Sequence, residues 1–191
     1  MEDVGWWYTV TMNTACKECA SRLPVSEGRG PAAEYCGTPC RMRAYRRRKR
    51  SQEIPPEMRR QKRWIRRDDQ KRPFTVHGWY ASVTKPNTWT TFERASNSEV
   101  GTGLGFVLGD GIGCIDLDHC IDARGRVEPW AQHYIDRWRD RAIMVERSMS
   151  GRGVHIFLHM EETKGRMIRL PGRSIEVYSW RRYIAVTGDR I

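Results

Sequence analysis

The sequence predicts an α+β fold: a β-sheet with a helix on one face, preceded by a small metal-stabilised module. Three observations predict this. Short apolar runs with strand character recur between residues 64 and 187 around one amphipathic helix. Cys16, Cys19, Cys36 and Cys40 form C-x2-C and C-x3-C in a Gly/Pro-rich segment too poor in apolar residues to fold on a core alone. A dense basic run separates the two.

Residues 1–13 read as a leader, with Met12 as an alternative start, and residues 14–45 as the cysteine module. In an intracellular chain four cysteines so spaced read as one tetrahedral Zn²⁺ site rather than as disulfides. Residues 41–48 are good helix formers without a breaker, so a basic helix should leave the last cysteine. Ile54-Pro55-Pro56 ends it, and residues 46–63 read as a basic linker or arm. The second domain, residues 64–191, opens with a short strand at Trp64-Ile65. Residues 89–95 read as a short helix. Strands at 105–108 and 112–118 flank Gly109-Asp110-Gly111, a hairpin signal. Pro129 suits the first helical position, and Ala131, Tyr134, Ile135, Trp138 and Ala142 keep helical spacing, so residues 129–140 should pack on the sheet. Further strands are expected at 143–147, 154–158, 174–178 and 183–187, with residues 165–172 as a loop.

The 191 residues, 39% of them hydrophobic, suit one domain plus a small module. No run approaches the roughly 18 apolar residues of a membrane span. The first twelve residues lack the apolar region of a signal peptide, so a cytoplasmic location is expected. Residues 41–72 hold 15 lysines and arginines against four acids and so carry the whole net charge of +11. A charge so localised points to a polyanion, with Arg41, Arg43, Arg46, Arg47, Arg48, Lys49 and Arg50 as candidate DNA contacts. No apolar helical face lies beside them to suit a membrane. A solubilising linker is the alternative. Cys114 and Cys120 read as buried or incidental thiols.

The most informative stretch is Cys114-Ile115-Asp116-Leu117-Asp118-His119. On a strand, alternation puts Asp116 and Asp118 on one face. Two acids that close repel, and burial raises the cost of their charge, so a divalent cation with oxygen ligands, Mg²⁺ or Mn²⁺, is the usual remedy. A solvated strand edge or turn explains the spacing equally well. Ser148-Met149-Ser150-Gly151-Arg152-Gly153 is a small-residue turn whose amides and hydroxyls could cradle phosphate, with His155 on the strand beyond. Ile175-Glu176-Val177 sets one acid in an apolar strand. Each has its ordinary reading, a tight turn, a sheet histidine and an edge-strand charge. An EF-hand fails because Cys120 and Ile121 occupy positions that need an oxygen ligand and a glycine. A dinucleotide motif fails because Gly101, Gly103 and Gly105 precede a strand.

Taken together, these residues resemble the archaeo-eukaryotic primase superfamily, in particular the primase-polymerase domains of bacteriophages and plasmids. Asp116 and Asp118 match that family's first motif. Ser148, Ser150, Gly151, Gly153 and His155 match an extended second motif, and Glu176 the third. Lys71-x-Pro73, Trp89-Thr90-Thr91-Phe92, Pro129-Trp130-Ala131 and Tyr183-x-x-Val186-Thr187-Gly188 are similar to its flanks. The resemblance covers residues 64–191 and implies an RRM-like catalytic sheet beside an N-terminal α/β layer. It implies template-directed nucleotidyl transfer from NTPs or dNTPs on single-stranded DNA in phage or plasmid replication, beside a replicative helicase in some relatives. It implies two Mg²⁺ or Mn²⁺ ions on Asp116, Asp118 and Glu176, and triphosphate contacts from Ser148, Ser150, Gly151, Gly153 and His155. Many relatives continue beyond the third motif, so a C-terminally shortened domain with part of its template grip missing is expected. Two rivals stand beside this reading, a metal-dependent nuclease and a non-catalytic zinc-dependent DNA-binding replication or regulatory factor.

Overall fold

A computed structural model describes residues 15–24 and 33–191, apart from the side chains of residues 47–53. The expected leader, the alternative start at Met12 and the side chains of Arg47, Arg48, Lys49 and Arg50 lie outside the described residues. The chain divides between Lys49 and Arg50 into two compact units.

In the first unit a tight turn follows Cys16: the Ala20 amide donates to the Cys16 carbonyl at 2.9 Å and the Cys16 amide to Ser21 at 2.7 Å. Helix α1 (Thr38–Glu53) begins just after Cys36 and buries Cys40 and Ala44. It ends before Pro55, which cannot continue it.

The second unit contains two antiparallel sheets. Its elements are α2 (Pro56–Arg60), β1 (Trp64–Arg67), β2 (Pro73–Phe74), α3 (Phe92–Asn97), β3 (Gly103–Val107), β4 (Ile112–Asp118), α4 (Pro129–Trp138), β5 (Ala142–Arg147), β6 (Val154–His159), β7 (Arg166–Leu170), β8 (Arg173–Tyr178) and β9 (Tyr183–Val186). The first sheet runs β2-β1-β3-β9 and the second β5-β6-β4-β8-β7. Period-2 alternation gives each sheet two unlike faces. Trp64, Phe106, Ile184 and Val186 of the first sheet share one core with Cys114, Met144 and Phe157 of the second. The opposite face of the second sheet buries Ile115, Leu117, Ile156 and Ile175 with Ala131 and Ile135 of α4. Burying such a side chain contributes about 1.5–3 kcal/mol, so the sheet bearing Asp116 is held from both sides. This mixed architecture agrees with the α+β expectation.

Four local expectations need correction. First, β3 and β4 do not form a hairpin. Gly109, Asp110 and Gly111 turn with positive φ (128°, 53° and 82°) and close one bridge, Gly109 to Ile112. The strands then part into different sheets. The reason is saturation: β1 and β9 occupy both edges of β3, and β6 and β8 both edges of β4. Second, residues 166–170 form strand β7 rather than loop. Every residue of it is exposed, and pairing with β8 alone defines it, so no apolar alternation marks it. Third, the helix expected at 89–95 starts at Phe92, with Thr91 as its N-cap. Fourth, Ile54 and Met58, expected in the basic arm, are buried in the core between the sheets.

Candidate active site and cysteine cluster

Strand β4 is central in its sheet, so each of its residues has a neighbour on both sides. The register sets Asp116 opposite His155 of β6 and opposite Glu176 of β8, and His155 opposite Glu146 of β5. Glu146, His155, Asp116 and Glu176 therefore form one row across four strands, on the face where directly opposed Cβ atoms lie roughly 4.5–5.5 Å apart. Asp118, two residues on, shares that face opposite Ser174.

The row is ordered by burial and charge. The Glu146 side chain is 0% exposed. One of its oxygens pairs with His155 Nδ1 at 3.0 Å, and the other accepts from the Thr187 amide and hydroxyl at 3.0 Å each and from the Gly188 amide at 2.8 Å. Glu146 thus ties the end of β9 to the row and fixes the imidazole, leaving His155 Nε2 3.8 Å from Asp116 Oδ1. Burial opposes protonation of His155, but the hydrogen bond and charge of Glu146, with Asp116 beyond, raise its pKa above the ordinary value. Asp116, 19% exposed, is shifted upward as well. Burial is the main cause, Asp118 and Glu176 add to it, and His155 and the Lys71 ammonium oppose it. Asp116 Oδ1 is buried and has no hydrogen-bond partner among the described residues. Glu176 accepts from the Tyr178 hydroxyl at 2.8 Å, and the Arg182 guanidinium lies over the Tyr178 ring.

The Ser148–Gly153 turn is tied to itself. The hydroxyls of Ser148 and Ser150 lie 3.1 Å apart, and the Gly153 and Arg152 amides donate to them at 3.1 and 3.3 Å. Gly153 is required by close approach, since a Cβ there would stand 2.8 Å from the Leu117 carbonyl. Beside Asp118, a cleft of about 500 Å³ is lined by His119, Arg152, Arg169, Leu170, Gly172, Arg173 and Ser174. Its cations were not singled out from the sequence. Arg169 lies in the stretch read as a loop, and the strand pairing that brings it to Ser174 is not a local signal. Glu146 was also missed, although Met144-Val145-Glu146 carries the same signal as Glu176, an acid in an apolar strand.

The four cysteines come together in the first unit. Their sulfurs all lie within 4.8 Å of one another, with Cys19, Cys36 and Cys40 at 3.5–3.6 Å. A zinc–sulfur bond of about 2.3 Å gives a tetrahedron with edges of about 3.8 Å, so the set fits one Zn²⁺. Burial works against a thiolate at Cys16, but amide donors from Cys36, Glu18 and Cys19 outweigh it and lower the pKa to about 6. Neighbouring thiols push Cys36 up to about 12. Among the described residues these thiols are the metal-type group drawn together; the three carboxylates share a sheet face more loosely. Arg41, Arg43 and Arg46 are exposed on α1, and Arg43 also donates to Cys40 Sγ at 3.0 Å. Cys114 and Cys120 are buried, and burial raises both thiols.

The chain resembles a phage replication enzyme. It is 32% identical over 136 residues to the DNA primase-polymerase of Nitratiruptor phage NrS-1, in an alignment covering 66% of this chain. The chain spans about a fifth of that protein's length, 18%. No protein-family model matches the chain.

Proposed function

We propose that this chain carries a primase-polymerase activity: template-directed nucleotidyl transfer on single-stranded DNA in phage or plasmid replication. The observation that carries the reading is the row across β5, β6, β4 and β8, with a buried Asp116 oxygen that accepts no hydrogen bond among the described residues, in a chain similar to a DNA primase-polymerase. Asp116, Asp118 and Glu176 suit hard divalent ions, since all three offer carboxylate oxygens on one face and Asp116 carries a charge that burial disfavours. Mg²⁺ or Mn²⁺ bound there would neutralise the triphosphate and lower the pKa of the attacking 3′-hydroxyl.

The chain's own residues supply the rest. Glu146 holds His155 so that Nε2 faces the acids, where a charged imidazole can meet a phosphate oxygen. Ser148, Ser150, Gly151 and Gly153 form the turn at the start of β6. Arg152, Arg169 and Arg173 line the cleft next to Asp118, suited to the negative charge of a departing pyrophosphate. The cysteines hold a structural Zn²⁺ that supplies folding free energy to the first unit. The α1 arginines track template phosphates, with no base information in those contacts. Among the described residues no helix is long and apolar enough to cross a membrane; the proposed setting is the host cytoplasm.

Labelled-nucleotide incorporation on a single-stranded template, run with NTPs and dNTPs separately, tests the reading. Template-dependent product supports it. Degradation of the template points to the nuclease alternative, and binding without either product to a DNA-binding factor.

A further inference from the structure

We infer that the turn between residues 74 and 80 is a stacking platform for unpaired nucleobases of the single strand, formed by Trp79 and Tyr80. The inference rests on the nucleic-acid reading of the site and adds a surface to it. Trp79 is 74% exposed and Tyr80 69%, the two most exposed large apolar side chains among the described residues. Exposure of that size costs hydrophobic free energy unless something covers it.

The turn backbone is fixed, and so is the Tyr80 ring. Thr75 and Trp79 close the turn through an amide-to-carbonyl bond of 2.7 Å, and Thr75 Oγ1 accepts from the amides of His77 and Trp79 at 3.3 Å each. Gly78 supplies the positive φ, 88°, that lets the chain reverse. Tyr80 stacks on Phe74 with centroids 5.2 Å apart and planes 21° from parallel. Arg72, immediately before the strand that carries Phe74, is fixed by Asp68 at 2.6 Å. A platform that loses little rotamer freedom on binding retains more of the stacking energy.

Charge selects the occupant. No acid occurs between Asp69 and Glu93, whereas Lys71, Arg72 and Lys85 do. The strand β2 that leads into the platform begins beside a residue that acts on the acids. Lys71, in the preceding turn that Asp68 and Arg72 close, has φ 60° and its carbonyl accepts from the Tyr183 hydroxyl. Its ammonium acts on both Asp116 and His155. Bases in a duplex present no free face to an aromatic ring, which is why the occupant is single-stranded.

The test is fluorescence anisotropy with the full chain, without nucleotide or divalent ion, on two labelled oligomers of equal length: oligo-dT and an abasic deoxyribose-phosphate strand. Trp79→Ala should weaken oligo-dT binding by roughly 5- to 150-fold, the span of one base–aromatic stack, and leave abasic binding unchanged. Trp79→Phe should retain most of the oligo-dT affinity. Equal binding of both oligomers by the wild-type chain would overturn the platform. So would an equal loss on both oligomers in Trp79→Ala, or an oligo-dT affinity unchanged by Trp79→Ala and Tyr80→Ala together. These outcomes are independent of turnover. A chain that incorporates nucleotides but binds bases and abasic sites alike loses the platform and keeps the polymerase reading; the converse result does the reverse.

Discussion

The cysteine cluster and the carboxylate row are both candidate ligand sets, and the chain builds them in opposite ways. The thiols come from a tight turn and from the start of α1, in a unit whose buried apolar side chains among the described residues are Cys16, Cys40 and Ala44. Two of those three are cysteines of the cluster, so among the described residues this unit has almost no core beyond it. The carboxylates stand on strands that Leu117, Ile156 and Phe157 hold in place whatever the acids do. A Zn²⁺ on the first set would make the fold of that unit depend on an ion. The second makes the fold carry repelling charges, which is a burden until something positive arrives. An ion that stabilises sits where the chain cannot hold itself, and one that reacts is best placed where the ladder is already over-determined.

Breaking the second set should have the largest effect. Asp116→Ala or Asp118→Ala should lower incorporation by a factor on the order of 10²–10³ or more, the scale of removing a charge-stabilising group from an active site. The melting temperature should not fall. Primer extension with Mg²⁺ or Mn²⁺ beside a thermal melt checks both, and activity within about tenfold of wild type would remove the carboxylates from catalysis.

Breaking the first set should have the opposite signature. Cys36→Ser/Cys40→Ser should release one Zn²⁺ per chain and unprotect the amides of the first unit, while those of β4 and β6 keep their hydrogen-exchange protection. Initiation on a bare template should suffer more than extension of a preformed primer. Purified wild-type protein without zinc by elemental analysis would refute the metal, and unchanged initiation would refute the role.

The basic residues sharpen the comparison through salt. If four to six phosphates are engaged, log K against log salt for single-stranded DNA should have a slope of roughly −3 to −4. Arg46, Arg47, Arg48, Lys49 and Arg50 changed together to Gln should flatten it and weaken all sequences alike. Equal slopes in the two proteins would reduce residues 46–50 to a solubilising segment.

What the sequence made legible follows the range of the forces involved. Helix α4 could be read from Pro129 and its apolar stripe, and β4, β6 and β8 from their apolar runs, because those signals are local. The order of acids and histidine along the chain likewise pointed to Asp116, His155 and Glu176, and the register sets them side by side. What stayed hidden was pairing. Nothing within Gly109-Asp110-Gly111 says that both flanking strands will have their edges filled by others. Nothing in Arg166–Leu170, exposed on both faces, says that it will pair at all. Arg169 of the cleft was missed with that strand. Glu146 carried the local signal of Glu176, but its role in holding His155 comes from partners distant in sequence, His155 and the Thr187-Gly188 turn.

The smallest effect is the most direct measure of the burden on the row. The folded-state pKa of Asp116 lies above its ordinary 3.8, with burial as the first cause. The sign follows by linkage: the protonated acid is favoured in the fold, so its contribution is fully present below pH 3.8 and is lost as pH rises through the folded pKa. At pH 7, with divalent ions chelated, Asp116→Asn should therefore raise the melting temperature. A shift of about 2–4 °C is what 1 kcal/mol is worth in a chain of this size. The gap should narrow as pH falls toward the carboxyl's unfolded value. Mg²⁺ or Mn²⁺ should reverse the order, because the ion binds the folded wild type and has lost a ligand in the variant. His155 supplies the rival outcome. Its pKa is raised by Glu146 and Asp116, and if its charge already offsets Asp116, the variant will melt below wild type even in chelator. That result would make Asp116 and His155 a stabilising pair and leave no charge burden for an ion to relieve.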